Sequence, residues 1–122
     1  MSEELFDKLR DMDAEVDDTL DRLMGDEEMY EEFLHKFPDN QNIIKLRECV
    51  DAGDAEQAMK EVHSLKGVAL NLGLLPLVDV CMDMLMDFRE GKTESAMQQI
   101  DQVEENFKKW ADVIKEEGCG NE

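Results

Sequence analysis

The sequence has few residues that interrupt helices and no long apolar run. Two prolines and seven glycines in 122 residues leave room for long helices. No segment approaches the roughly 20 consecutive apolar residues that cross a bilayer. The acidic start, Met1–Glu4, lacks the apolar stretch of a secretion signal. We therefore expect one small domain in the cytoplasm, with no membrane span.

Cysteines are also few, and their number is odd. Cys49, Cys81 and Cys119 are widely spaced and form no redox or metal-binding pair. Cys49 and Cys81 lie within apolar helical patterns, so we expect both to act as small buried hydrophobic residues in a reducing compartment. Residues 118–122 are predicted to form a flexible tail.

Basic residues are scarce relative to acidic ones. The chain has 32 acidic and 13 basic residues and a net charge of −19. Nucleic acids and anionic membranes bind cationic surfaces, so neither is expected as a partner. The acidity can serve solubility or the rejection of wrong partners, and charge alone does not separate these two roles.

Apolar residues recur at helical spacing along the whole chain, and no strand pattern competes with them. The predicted fold is therefore all-α. Residues 26–117 are expected to form an up-down-up-down four-helix bundle, because short connections make consecutive helices antiparallel. Residues 1–25 are expected to form an additional helical segment that packs on one end or side of the bundle, within a single domain of residues 1–117.

Four side chains are predicted to cap helices, namely Asp13, Asp26, Asp54 and Thr93. Thr93 would begin a single last helix. The helix that begins after Asp26 is expected to bury one apolar face, which includes Met29 and Phe33.

The third main helix carries a histidine outside its apolar stripe. The stripe has spacings of three and four residues and consists of Ala55, Ala58, Val62, Leu65, Ala69 and Leu72. At about 100° per residue, His63 lies roughly 130° from the centre of this stripe. We therefore expect the imidazole to face solvent.

The neighbours of His63 on its own side of the helix are Met59, Lys66, Gly67 and Leu70. Lys66 places a cation within reach of the ring. Gly67 costs roughly 1 kcal/mol relative to alanine inside a helix. A reason to tolerate this cost is that something large must approach the imidazole closely.

An exposed neutral imidazole is a nucleophile near neutral pH. His63 has no acidic residue within its own helix turn to orient it as a general base, and a bundle with short loops offers no obvious substrate pocket. Carrying a phosphoryl group requires less: in-line access, a cation near the phosphate and a surface that fits the donor.

At these residues the chain resembles the histidine-containing phosphotransfer (HPt) domain family. The motif is His63-x-x-Lys66-Gly67, followed by Gly73. The resemblance spans roughly residues 16–115 and includes further segments: Met24–Leu34, Ala52–Asp54, Cys81 and Arg89–Gly91. Val68 departs from the small, often polar residue common after Lys-Gly.

The resemblance implies that His63 accepts the phosphoryl group, that Lys66 stabilises its oxygens and that Gly67 clears space for an aspartyl phosphate. It also implies a carrier between receiver domains, or between a hybrid histidine kinase and a receiver, rather than a turnover enzyme. Mg²⁺ is expected on the receiver, no cofactor in this chain, and a monomeric state. The predicted docking surface consists of Met59, Lys60, Leu70 and Arg89.

Alternatives remain at the sequence level. One is a helical bundle that only binds a protein partner. Another is a metal site, because Glu32-x-x-His35 matches the Glu-x-x-His element of di-iron bundles, which need that element twice. A calcium loop at residues 13–24 is a weaker match, because Asp18 and Met24 stand where such loops need glycine and glutamate.

Overall fold

The computed structural model describes residues 2–119, and all regular structure in that range is helical. The predicted all-α fold is confirmed. The elements are α1 (Ser2–Asp11), α2 (Val16–Arg22), α3 (Glu27–Lys36), a 3₁₀ helix (Phe37–Asp39), α4 (Gln41–Asp51), α5 (Ala55–Leu72), α6 (Leu75–Arg89), α7 (Thr93–Gln98) and α8 (Ile100–Cys119).

Four helices pack in a ring. Helix α4 packs on α5, α5 on α6, α6 on α8, and α8 again on α4. The connections from α4 to α5 and from α5 to α6 span only residues 52–54 and 73–74, as is usual between antiparallel neighbours. Outside the ring, α1 packs against α8, and α2 packs against α3 and α5. The extra N-terminal segment thus lies on the bundle, whereas the up-down-up-down order and the domain limits stay predictions.

The core is one continuous hydrophobic cluster. It includes five residues of the predicted α5 stripe, which are 0–4% exposed: Ala58, Val62, Leu65, Ala69 and Leu72. Burying a leucine or valine of this kind contributes about 1.5–3 kcal/mol. This buried stripe fixes the rotation of α5 about its axis, and the rotation decides which residues of α5 face outward.

Helix caps follow the sequence at two of the four predicted positions. Asp13 caps no helix, because it lies in the preceding turn with φ +74° and α2 begins after Glu15 without a side-chain cap. The carboxylates of Asp26 and Asp54 each accept the backbone N–H three residues later, at 3.0 and 3.2 Å. Helix α3 ends before Pro38, and α4 begins after Asn40, whose side-chain oxygen accepts the N–H two residues on, at 2.8 Å. These caps satisfy backbone donors that the first turn of a helix leaves free.

The prediction of a single last helix capped by Thr93 is wrong. Thr93 is already the first residue of α7, and no side chain caps that helix. The chain breaks at Gln99, before α8 begins. At the break the Gln99 side-chain amide donates to the Ser95 carbonyl oxygen, the acceptor that a continuous helix would give to the Gln99 N–H, and that N–H binds Ala96 instead. The Asp87 carboxylate of α6 accepts hydrogen bonds from the Ser95 hydroxyl and the Gln99 amide, which ties α7 to α6 at this point.

The predicted buried face of α3 is also partly wrong. Met29 and Phe33 are 39% and 43% exposed, whereas Tyr30, Leu34 and Phe37 are buried. The buried residues share one side of the helix at spacings of four and three. Met29 and Phe33 each precede a buried residue by one position and are therefore turned away by about 100°.

The remaining expectations concern cysteines and the chain end. Cys81 is buried, as predicted, whereas Cys49 is only half-buried. Helix α8 is described to Cys119. Of the predicted tail, which comprises residues 118–122, residues 120–122 and the side chain of Cys119 lie outside the described residues. Within residues 2–119, no helix combines the length and apolar character needed to cross a membrane.

Candidate functional site

Helix α5 directs His63 to solvent, as the sequence predicts. His63 is exposed, while its neighbours Val62 and Leu65 are fully buried. The imidazole forms no hydrogen bond or ion pair with any residue between positions 3 and 116, the range whose side chains the structure describes. Both ring nitrogens are therefore left without an internal partner, so an external group can approach either of them.

Both ends of α5 are fixed. Asp54 caps its start. At its other end the carbonyl oxygen of Leu72 accepts the Tyr30 hydroxyl at 2.7 Å, and that of Leu70 accepts the Arg22 guanidinium at 3.2 Å. The carbonyl groups of the last helical turn have no partner within the helix, so these bonds satisfy them and tie α5 to α2 and α3.

A close approach between α2 and α5 occurs just after this end. Gly73 has φ +75°, and the Glu15 N–H donates to its carbonyl oxygen at 2.8 Å. A Cβ on Gly73 would lie 2.8 Å from the Glu15 carbonyl oxygen and would also collide with the Thr19 hydroxyl. Glycine is thus required here both by conformation and by space.

Gly67, one turn after His63, has a different role. It has ordinary helical geometry, and a Cβ placed on it would have no heavy atom within 4 Å other than its chain neighbours and the backbone of its own helix. Packing inside this chain therefore does not explain why a residue of poor helix propensity stands in the middle of α5. The space above Gly67 is open and adjoins the imidazole.

A shallow depression contains His63. Its lining residues come from α5 and α6 and are Met59, Lys60, His63, Ser64, Leu85 and Arg89. Three predicted docking residues (Met59, Lys60 and Arg89) thus lie with His63, although Arg89 comes from a different helix. Leu70 does not line this depression; it is 45% exposed and lies beside Arg22 and Gly73 near the end of α5.

Sequence reasoning missed Ser64 and Leu85 as members of this depression. Ser64 directly follows the histidine, so its position could have been found from the helix alone. Leu85 is almost fully buried and belongs to the apolar face of α6. Only the packing of α6 on α5 reveals that the edge of the Leu85 side chain reaches the depression around the histidine.

Two cations, Lys60 and Arg89, line the depression with His63, whereas Lys66 is not among its lining residues. Lys66 follows the histidine by three residues on α5 and is half-buried. Lys60, Lys66 and Arg89 form no ion pair with any carboxylate among the described residues. Burial raises the pKa of the Cys81 thiol on α6 to about 12, and the positive charge of Lys66 offsets part of the rise.

Residues of the metal alternatives lie elsewhere. Glu32 and His35 are both exposed on α3. Among residues 2–119, no three side chains of His, Cys, Asp or Glu are grouped so that they could hold a metal ion. In the acidic segment, Asp13 has φ +74° in the turn before α2, and Asp17 pairs with Arg10 at 2.8 Å. These observations give no support to a metal centre in the described part of the chain.

Comparison with known proteins identifies the family. The family model "Hpt domain" matches residues 28–113, which is well over half of the chain and includes His63. No curated protein and no solved structure gave a significant match. An exposed histidine on a helical bundle, next to open space and unpaired cations, is consistent with the family match. The chain belongs to the Hpt domain family, the histidine phosphotransfer domains of two-component phosphorelays.

Proposed function

We propose that this chain is a phosphorelay intermediate that carries the phosphoryl group on His63. It takes the group from the aspartate of one receiver domain and passes it to the aspartate of another. The observation that carries the proposal is the exposed imidazole, which lacks an internal partner and stands beside the open space at Gly67.

The proposed transfer is an in-line displacement at phosphorus. The lone pair of a neutral imidazole nitrogen attacks the aspartyl phosphate, and a bond from nitrogen to phosphorus forms. The bond from phosphorus to the aspartate oxygen breaks, and the aspartate leaves as a carboxylate. Transfer to the second receiver is the reverse reaction, in which its aspartate carboxylate attacks and the imidazole leaves. Catalysis then consists mainly of positioning and charge stabilisation.

In this proposal different residues near His63 contribute to charge stabilisation and to positioning. The ammonium of Lys66 and, from α6, the guanidinium of Arg89 would stabilise the negative oxygens of the phosphoryl group. Gly67 would admit the receiver's active-site loop. In this proposal Mg²⁺ and the acidic catalytic side chains belong to the receiver, so this chain needs no metal. The side chains of Met59, Lys60, Leu70 and Arg89 would contact the receiver surface.

The test is transfer from a receiver domain labelled with radioactive acetyl phosphate. The wild-type chain should acquire label that is stable in base and lost in acid. His63→Gln should acquire none, whereas His35→Gln is the matched control, because these two are the only histidines in the chain. A His63→Gln protein that is folded and still takes label would contradict the proposal.

A second comparison tests the cation. Lys66→Ala should slow transfer by roughly tenfold or more, because a charge aimed at the transferred group is lost. Lys45→Ala is its control, since Lys45 is exposed on α4 and forms no ion pair with a described residue. Equal rates for the two variants would remove Lys66 from the proposed mechanism. If the wild type binds receivers without taking label, the chain is a binding module instead.

A further inference from the structure

An apolar cleft of about 370 Å³ lies between α2, α3 and α5. The lining residues include Arg22 of α2, Phe33 and Lys36 of α3, and Val68 and Asn71 of α5. No carboxylate is among them, although 32 of the 122 residues are acidic. The charged groups at this cleft are two cations, Arg22 and Lys36. The cleft therefore differs in charge from the acidic chain as a whole.

The cleft shares helix α5 with the histidine. Asn71, which lines it, follows His63 by eight residues, so it lies roughly 12 Å farther along the helix axis and is turned by about 80° around it. Val68 follows His63 by five residues and is turned by about 140°. A standard interface covers about 800 Å² on each partner, equivalent to a circle of roughly 16 Å radius. A receiver docked on His63 therefore reaches the cleft when its interface extends across α5 toward α3.

The two cations of the cleft differ in what they already bind. The Arg22 guanidinium donates to the Thr19 hydroxyl at 3.1 Å and to the Leu70 carbonyl oxygen at 3.2 Å. Lys36 is exposed and forms no ion pair with a described carboxylate. Arg22 is thus held in place by α2 and α5, whereas Lys36 is free to pair with a group outside the chain.

Resting on the function proposed above, we infer that Lys36 determines which receivers dock. The favoured receiver presents a carboxylate next to an apolar side chain. The apolar side chain enters the cleft beside Phe33, which is 43% exposed, and the carboxylate pairs with the Lys36 ammonium. A receiver with a basic group at that place meets a like charge and loses its apolar contact as well.

The test compares charge reversals at two lysines. Lys36→Glu and Lys45→Glu change the net charge equally, but Lys45 does not line the cleft. The probe is a phosphorylated receiver domain that labels the wild-type chain. We expect Lys36→Glu to lower the second-order rate constant of transfer roughly three- to tenfold more than Lys45→Glu does, as for a solvent-exposed ion pair. The first-order rate at saturating receiver should stay unchanged, because His63 and its neighbours are intact.

Salt dependence separates a charge contact from a packing defect. The difference between the two variants should shrink between about 0.05 M and about 0.5 M salt, because screening weakens exposed charge pairs. Lys36→Gln, which removes the charge without reversing it, should give an intermediate effect. A Lys36→Glu protein can lose some stability, because its new charge is at the negative end of α3. Urea unfolding of both variants measures that loss separately.

A compensating change in the receiver completes the design. Replacing the receiver's pairing carboxylate with lysine should restore transfer to Lys36→Glu while slowing transfer to the wild type. Equal second-order rate constants for Lys36→Glu and Lys45→Glu, with an active wild type, would overturn the inference and leave the proposed function standing. A wild-type chain that takes no label from any receiver would overturn the proposed function and this inference together.

Discussion

Replacing Gly67 with alanine should stabilise the protein and slow its proposed reaction. Apart from its chain neighbours and the backbone of its own helix, the added methyl group has no heavy atom within 4 Å, so it collides with no other part of the chain. Alanine is favoured over glycine inside a helix by about 0.8–1.0 kcal/mol. For a domain of this size, that gain raises the melting temperature by about 3–5 °C. The same methyl group projects into the space that the receiver needs beside His63.

The expected loss of transfer grows with side-chain size. A misplacement of about 1 Å at a reacting centre can cost 100-fold in rate, so we expect at least a tenfold loss for Gly67→Ala. Gly67→Leu should lose at least 100-fold while its helix remains intact. The assays are thermal unfolding followed by circular dichroism, and rapid-quench transfer from a phosphorylated receiver.

Gly53→Ala is the matched control for this pair of effects. Gly53 lies in the turn before α5 with φ +71°, and a Cβ there would also meet open space. Alanine at this backbone conformation costs roughly 1–2 kcal/mol, so the protein should become less stable yet transfer at the wild-type rate. Undiminished transfer by Gly67→Leu would refute the steric role of Gly67. A lower melting temperature for Gly67→Ala would refute the claim that the space around a Cβ at this position is open.

Two further predictions concern the scaffold. Arg47→Ala should lower the free energy of unfolding by about 0.5–1 kcal/mol, because Arg47 of α4 pairs with Glu104 and Asp101 of α8. The loss should be smaller at high salt, which urea titrations at two salt concentrations test. Equal losses at both concentrations would argue against an ionic contribution. Tyr30→Phe should cost about 1–2 kcal/mol, because the buried Leu72 carbonyl loses its hydrogen bond. Burial raises the pKa of Tyr30 from 10 to about 12, so its contribution is complete below pH 10 and declines as the pH rises toward 12. Alkaline unfolding that is identical in wild type and Tyr30→Phe would contradict that linkage.

The sequence predicted the elements that depend on local periodicity. The buried stripe of α5 and the exposed position of His63 follow from the helical period of 3.6 residues per turn. Both could be predicted without knowing which helices pack against α5. The caps at Asp26 and Asp54 are equally local, since each carboxylate reaches an N–H only three residues away. Such features are determined within one helix.

Features that depend on contacts between helices were missed. At the break, the Gln99 side chain binds Asp87 of another helix and the Ser95 carbonyl, and periodicity carries no sign of these bonds. The exposure of Phe33 depends on how α3 rotates against the bundle. The same reason separates Leu70 from the depression around His63 and brings Leu85 into it, whereas Arg89 was expected there only from the family resemblance. The histidine and its neighbours on α5 could be predicted from the helix alone, whereas the side chains that α6 contributes could not.

The anchoring of α5 has a consequence for the proposed reaction. Its buried stripe fixes its rotation, and hydrogen bonds from Tyr30 and Arg22 fix its last turn. The imidazole is therefore presented on a rigid helix, although the ring itself is free of internal contacts. A rigid support limits the geometries that must be searched when a receiver docks.

The role of His63 can be decided by finding which residue carries the phosphoryl group. The chain would be incubated with a phosphorylated receiver, digested at neutral to basic pH and analysed by fragmentation that preserves the bond from phosphorus to nitrogen. We expect a single phosphoryl group on His63 and none on His35. A phosphoryl group found on any other residue, with His63 unmodified, would show that His63 is not the phosphoacceptor.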